Sequence, residues 1–323
     1  MVKGKNNQKK VLLMFSGGLD SRVSAKFLEE LGFKVELIYV ELPFDSIKKD
    51  INGLEKIREF AEENGFPLKV VDVKKGKLFK AYLDFVRNPK HGTGTAVNPC
   101  KDCKIFIFKI AKDYFENSPE KKFDILASGE VLGQRPMSQV KHALKFDDQK
   151  AELENKILRP LSAKAMPESV YEKEGIIDRN KLKGIVGRKR EVQEKMARKY
   201  DIDYPTAAGG CLLCDRNFSK KLNVLFDYYT ENNDIKFEHL SLLKFGKMFL
   251  SEGLIFSGRN ESENKLLQKI GKKLNWEIYF NSEIPGPTVI YEKKSDENVV
   301  KKIWDAYSER NTEMVEKLKS ISI

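Results

Sequence analysis

The sequence predicts an α/β fold: a parallel sheet flanked by helices, followed by a small α+β domain. Three observations carry this. Strand-like and helix-like segments alternate between Lys10 and Ser128, the signature of a parallel sheet covered by helices. The apolar run VLLMF breaks directly into a glycine turn and then a helical pattern. From about Leu240 the pattern changes to short strands around one helix.

Each element has its own signal. Lys10 to Phe15 is an apolar strand, and Ser21 to Leu31 has helical spacing at Val23, Phe27, Leu28 and Leu31, ending at Gly32. Lys34 to Val40 is a second strand, Ile51 to Asn64 a helix and Leu68 to Val73 a third strand. A helix near Ile105 to Glu116 precedes a strand over Phe123 to Ser128. Right-handed crossovers place the loop after each strand along one edge, where such sheets bind ligands. Asn180 to Lys199 is basic and helix-rich, and Lys220 to Phe237 reads as a helical connector. Beyond it, Gly253 to Ser257, Trp276 to Phe280 and Thr288 to Glu292 are strand-like around a helix from Glu261 to Leu274. The expected division is 1–218, a connector over 219–238, and 239–323.

The chain has 323 residues, 41% hydrophobic and 33% charged, with a formal net charge of +11. A core of ordinary size is therefore available. The positive surplus suits a polyanionic partner, because each cation set on a phosphate releases counterions. No segment approaches the length of a membrane span, and VLLMF ends in SGG, unlike a signal peptide. The expectation is a cytoplasmic protein with no membrane partner, where paired cysteines serve metals or catalysis.

The turn Ser16-Gly17-Gly18-Leu19-Asp20-Ser21 joins a strand to a helix. Glycines present bare N–H groups there, the helix N-terminus adds positive dipole, and Ser16 and Ser21 add hydroxyls, a setting for pyrophosphate. The spacing is neither Walker type nor GxGxxG. SGGxDS in this place resembles the PP-loop ATP pyrophosphatases, of the adenine nucleotide alpha hydrolase-like fold. The resemblance implies ATP as cofactor, with Asp20 positioning Mg2+ and phosphate. It also implies that Val40, at the end of the second strand, faces adenine, and that Ser128 and Gly129 form a second nucleotide-contacting turn.

The four cysteines form two pairs, Cys100-Lys-Asp-Cys103 and Cys211-Leu-Leu-Cys214. Spacing alone allows a structural zinc site. The first pair, however, precedes a helix and neighbours Lys101 and Lys104, and both features are expected to lower a thiol's pKa. The second follows Gly209-Gly210.

TAVNPCKDCKIFIFK, FDILASGE, ILRPLS and AGGCLLC resemble segments of the tRNA 2-thiouridine synthases of the MnmA family, over residues 8 to 215. The resemblance implies Cys103 as one catalytic cysteine and Cys211 as the persulfide carrier. MnmA's C-terminal β-rich domains and the N-terminal RNA-binding domain of ThiI-type enzymes have no counterpart here, and Cys214 has no MnmA match. A CxxC with a distant cysteine also resembles the TtuA and TtcA thiolases. That likeness implies Cys100, Cys103 and Cys211 as ligands of a [4Fe–4S] cluster. Cluster and cluster-free persulfide both remain open at this point.

Basic residues crowd the stretch from Lys181 to Lys199, among them Arg188, Lys189 and Arg190. Arg135 and Gln139 follow the ASGE turn and suit phosphate or base. The C-terminal GRN-x(3)-N and IPG motifs resemble the NFACT-type RNA-binding domain, which implies RNA contacts at Arg259 and Asn260. His91, His142 and His239 show no ligand spacing and suit surface or structural roles.

The expected activity is ATP-dependent thiolation of a tRNA uridine. The carbonyl is adenylated, and sulfur then arrives from a cysteine persulfide or a cluster-bound sulfide. The sulfur donor is a cysteine desulfurase, a sulfur carrier or inorganic sulfide. Two alternatives stand beside it: a PP-loop ligase or amidotransferase using a nitrogen nucleophile, and a zinc-stabilised RNA-binding factor.

Overall fold

The computed structural model describes residues 8–44, 53–118, 122–205 and 211–323. The expected glycine approach at Gly209-Gly210 and the start of the Ile51 helix lie outside the described residues. The chain divides into two compact units, one of residues up to Gly94 with Asn98–Cys211, the other of Thr95–Val97 with Leu212–Ile323.

In the first unit β1 (Lys10–Met14) is followed by α1 (Leu19–Glu30), β2 (Lys34–Glu41), α2 (Gly53–Glu63) and β3 (Leu68–Asp72). Then come α3 (Gly76–Arg87), α4 (Cys100–Asn117), β4 (Ile125–Ser128), α5 (Lys141–Lys150), α6 (Val170–Lys173) and α7 (Glu191–Lys199). The strands form a parallel sheet in the order β3-β2-β1-β4. Central β1 is apolar on both faces, as a strand covered on both sides must be. Val11 and Leu13 point into one core with Leu37, Tyr39, Ile125 and helix α1. Leu12 and Met14 point into the other with Ile38, Leu126 and Phe108 of α4. This alternation is the two-residue period of a strand. The sheet runs one way from β1 through β2 to β3 and resumes on the other side at β4. The strand order thus reverses between β1 and β4, and a crevice outside their carboxyl ends is where such sheets take ligands.

In the first unit α3, α5 and the short α6 were not expected from the sequence. Helix α3 carries Phe79, Tyr82, Leu83 and Val86 as a buried stripe, and α5 buries Asp147 and Asp148 beside Ala143 and Leu144. Helix α4 begins at Cys100, not near Ile105, so the first cysteine pair lies in its opening turns.

The second unit carries α8 (Arg216–Tyr228), α9 (Phe237–Leu242), β5 (Lys247–Leu250), β6 (Leu254–Ser257) and α10 (Glu261–Leu274). It ends with β7 (Glu277–Tyr279), β8 (Val289–Tyr291), α11 (Glu297–Ser308) and α12 (Thr312–Lys317). Its antiparallel sheet has the order β5-β6-β8-β7. The expected helical connector is α8 as far as Tyr228, followed by turns. Strand β5 and helices α9, α11 and α12 were not anticipated. His239 is buried, stacked on Tyr229 and tilted against Trp276. Burial holds its pKa down to about 4, and its Nδ1 accepts from the Lys236 N–H at 3.0 Å, a structural role. Among the described residues no helix is long and apolar enough to cross a membrane.

Candidate functional site

The turn after β1 is built for close approach. Gly17 has φ +77°, and a Cβ there would lie 2.8 Å from Ile57 Cγ1. Gly18 is the N-cap of α1 and supplies no side-chain cap, so the first-turn N–H groups remain available to a ligand. Ser16 is exposed, and its Oγ lies 3.3 Å from Ser21 Oγ, which donates to Gly18 O at 2.9 Å. Arg22 stiffens the turn from behind: its Nε donates to Gly17 O at 2.8 Å, and its guanidinium sits 4.5 Å above the Phe60 ring.

The second turn meets the first. A Cβ on Gly129 would lie 2.6 Å from Ser21 Cα, so only glycine lets the end of β4 reach the start of α1. Ser128 Oγ accepts from the Glu130 N–H at 3.3 Å. Val40, at the end of β2, is buried and in register with Val71.

Asp20 Oδ1 is buried without a hydrogen-bond partner. Burial pushes its carboxyl up, against the pull of Arg190, a hydrogen bond with Gln193, and Arg135. Arg135 and Arg190, expected as RNA contacts, therefore lie in range of the carboxylate of the turn after β1. Their position arises from tertiary folding and has no signal in local sequence. Gln139, intermediate in exposure, donates its N–H to Arg135 O at 3.0 Å. Arg188 and Lys189 are exposed.

The first unit also gathers three thiols. Cys103 lies close enough to Cys211 and Cys100 for each to disfavour its ionisation. Cys211 Sγ donates to Phe44 O at 3.5 Å, and the Phe44 ring is 5.9 Å from that of Tyr82. The expected lowering of the thiol pKa is overturned: burial, then Cys211 and Cys100, push the Cys103 thiol up to about 12. The lysines do not offset this because they are engaged elsewhere. Lys101 sits 5.6 Å over the Phe146 ring. Lys104 binds Glu130 Oε1 at 2.5 Å, Asp147 Oδ2 at 2.9 Å and Ser138 O at 3.1 Å. Asp102, between the cysteines, binds the loop instead: it accepts from His91 Nδ1 at 2.8 Å and from the His91 N–H at 3.1 Å. Cys214 belongs to the second unit.

Lys104 opens a buried charge network. Arg159 donates to both oxygens of Asp148 at 2.8 and 2.7 Å, and through Nε to Glu130 Oε2 at 3.1 Å. Burial alone would raise Glu130, but Lys104 and Arg159 outweigh it and hold the carboxyl below its ordinary value. Asp147 and Asp148 are pushed up, chiefly by burial. The network ties the thiol-bearing α4 to the turn that follows β4.

The C-terminal motif residues have structural partners. Asn260 caps α10 by accepting from the Glu263 N–H at 3.0 Å, and Arg259 folds onto the Glu263 carboxylate. Asn264 accepts from the Thr288 N–H at 2.9 Å and donates to Gly286 O at 3.3 Å, which joins the two motifs.

Residues 9–185 match the family described as the tRNA methyl transferase HUP domain. A tRNA-specific 2-thiouridylase MnmA of Sulfurimonas denitrificans is 35% identical over 118 residues, 33% of either chain. A tRNA-specific 2-thiouridylase MnmA 2 of Clostridium botulinum is 31% identical over 172 residues, 51% of this chain and 48% of that one. The chain thus spans half or less of the length of these curated relatives. Among solved structures, a U34-tRNA thiolase NcsA from Methanococcus maripaludis with its [4Fe-4S] cluster aligns with TM-score 0.37 and 19% identity. That alignment covers 74% of this chain and 71% of that one.

Proposed function

Because the chain belongs to the family of the tRNA methyl transferase HUP domain, we propose that it is an ATP-dependent tRNA sulfurtransferase. In this reading the uridine carbonyl oxygen attacks the α-phosphorus of ATP, and pyrophosphate leaves. The terminal sulfur of a Cys211 persulfide anion then adds to the activated carbon and AMP departs with the old oxygen. The base is left joined to Cys211 through a disulfide. The Cys103 sulfur attacks Cys211 Sγ, its thiol proton passing to the thiolated base as that base is freed, and a Cys103–Cys211 disulfide forms. An external thiol reductant reopens it, and a donor of the persulfide class reloads Cys211.

The observation that carries the reading is the Lys104–Glu130 ion pair, which fastens the thiol helix to the second turn beside Ser21. Both turns and Cys100, Cys103 and Cys211 belong to one compact unit. The curated relatives named above, tRNA 2-thiouridylases, support the same substrate and chemistry.

Magnesium fits the unpartnered Asp20 oxygen, a hard anionic donor; Asp20 would hold it, and it would neutralise the phosphates. Arg135 and Arg190 add positive charge beside that carboxylate. Three thiolates are the right donor type for an iron–sulfur cluster. Among the described residues, however, no three Cys, His, Asp or Glu side chains converge as a metal site, and in this reading the cysteine persulfide carries the sulfur. Exposed Arg188 and Lys189 meet the tRNA backbone. In the second unit, exposed Arg259 is the RNA contact the reading keeps, since Asn260 is committed to its helix cap.

The test is incubation of purified protein with tRNA, ATP, magnesium, a sulfane-sulfur donor of the persulfide class and a thiol reductant. The expected products are AMP, pyrophosphate and a thionucleoside, each requiring tRNA; a nitrogen-substituted nucleoside contradicts the reading. Gly129→Ala forces a backbone contact at Ser21, and overpacking of this kind costs about 1–3 kcal/mol. ATP binding, measured calorimetrically, is expected to weaken at least about tenfold, and the melting temperature is expected to fall by about 2–4 °C for each kcal/mol lost.

A further inference from the structure

Tyr82 of α3 is fully buried, at 0% exposure. Its ring packs edge-on against Phe85 and Phe106, at 4.8 and 5.9 Å between centroids. A phenylalanine would make the same contacts. The hydroxyl makes no hydrogen bond of good geometry, although it lies within reach of the Cys103 thiol, and a buried hydroxyl left unsatisfied is costly. The groups that bear on its ionisation are the three thiols, Cys103 first, then Cys211 and Cys100, and Phe44, whose carbonyl accepts from the Cys211 thiol, has its ring 5.9 Å from that of Tyr82. The hydroxyl is therefore set into the sulfur cluster, and packing alone does not account for it.

The chemistry proposed for the cluster needs such a donor. A persulfide anion is a buried charge, and an unpaired charge in an apolar site is costly. Lys101 lies on the Phe146 ring and Lys104 on Glu130 and Asp147, so neither flanking lysine is turned to it. We propose that the Tyr82 hydroxyl donates a hydrogen bond to the sulfur being transferred, holding the persulfide anion on Cys211 in line with the activated carbon. This rests on the sulfurtransferase reading. Tyr82 keeps its proton throughout: the sulfur's electron pair forms the bond to carbon, and the departing AMP takes the electrons of the broken bond. Burial and the neighbouring thiols raise the phenol well above its ordinary value, consistent with a group that donates without ionising.

The experiment compares wild-type protein with Tyr82→Phe, which keeps the ring packing and removes one oxygen. Loss of one preorganised donor lowers rates by about a hundredfold. The single-turnover thiolation rate is expected to fall by about that factor, with tRNA-dependent pyrophosphate release unchanged and the melting temperature equal or higher. A second readout needs no tRNA. Protein loaded with sulfane sulfur, followed by intact mass, is expected to lose that sulfur to added thiol several times faster in the variant. Fluorotyrosine at position 82, which restores the donor, is expected to recover both properties. A Tyr82→Phe protein that retains sulfane sulfur and thiolates at the wild-type rate overturns the proposal. Wild-type protein that loads sulfur yet thiolates no tRNA overturns the sulfurtransferase reading instead, and the retention comparison still decides the role of Tyr82.

Discussion

Cys211→Ala and Cys103→Ala each reduce tRNA thiolation by about a thousandfold or more, the scale of removing a nucleophile. ATP binding stays intact, because the nucleotide turns Ser16–Ser21 and Ser128–Gly129 contain neither thiol. The double variant is no worse than either single one, since residues acting as a unit are non-additive. Cys100→Ala is milder. Its side chain is exposed and it takes no part in the disulfide step. Three equal losses would point instead to three equivalent ligands. The rates are read by nucleoside mass spectrometry under single-turnover conditions, with ATP affinity measured alongside.

Arg159→Met destabilises the first unit by about 3–5 kcal/mol, the cost of removing one partner from a buried ion pair. Arg159 is 3% exposed and binds both Asp148 and Glu130, so the variant leaves Asp147, Asp148 and Glu130 with Lys104 as their one remaining cation in the network. The effect depends on pH. Asp148 already has a raised pKa in the folded protein, chiefly from burial, and loses its main counter-charge in the variant. A carboxyl whose folded pKa exceeds its unfolded one favours folding when protonated, so stability falls as pH rises through that range. The difference between variant and wild type is therefore smaller at acidic than at alkaline pH. Denaturant titrations at two pH values measure it, and a pH-independent difference contradicts this account of the network.

Much of the first unit was legible because its signals are local. A strand breaking into SGGLDS needs only neighbouring residues to be read, and in the second unit α10 was expected over its observed range, Glu261–Leu274. Helix α3 had a readable i, i+3, i+4, i+7 stripe that went unused, and Tyr82 was missed with it. Helix α5 had no such signal. Its inner face carries Asp147 and Asp148, which are buried only because Lys104 and Arg159 reach them from elsewhere in the chain. The thiol environment failed for the same reason. Lys101 and Lys104 neighbour the cysteines in sequence, but one rests on Phe146 of α5 and the other on Glu130. Sequence proximity gave the wrong sign for the Cys103 shift, and Arg135 and Arg190 reach Asp20 by folding alone.

The central claim is that the oxygen lost from the base leaves on AMP while cysteine sulfur takes its place. It is tested most directly with tRNA whose uridine carbonyls carry heavy oxygen. In a single turnover with ATP and sulfane-loaded protein, the account predicts one labelled oxygen in the AMP phosphate for each thionucleoside formed. AMP free of label, alongside thiolated tRNA, contradicts it.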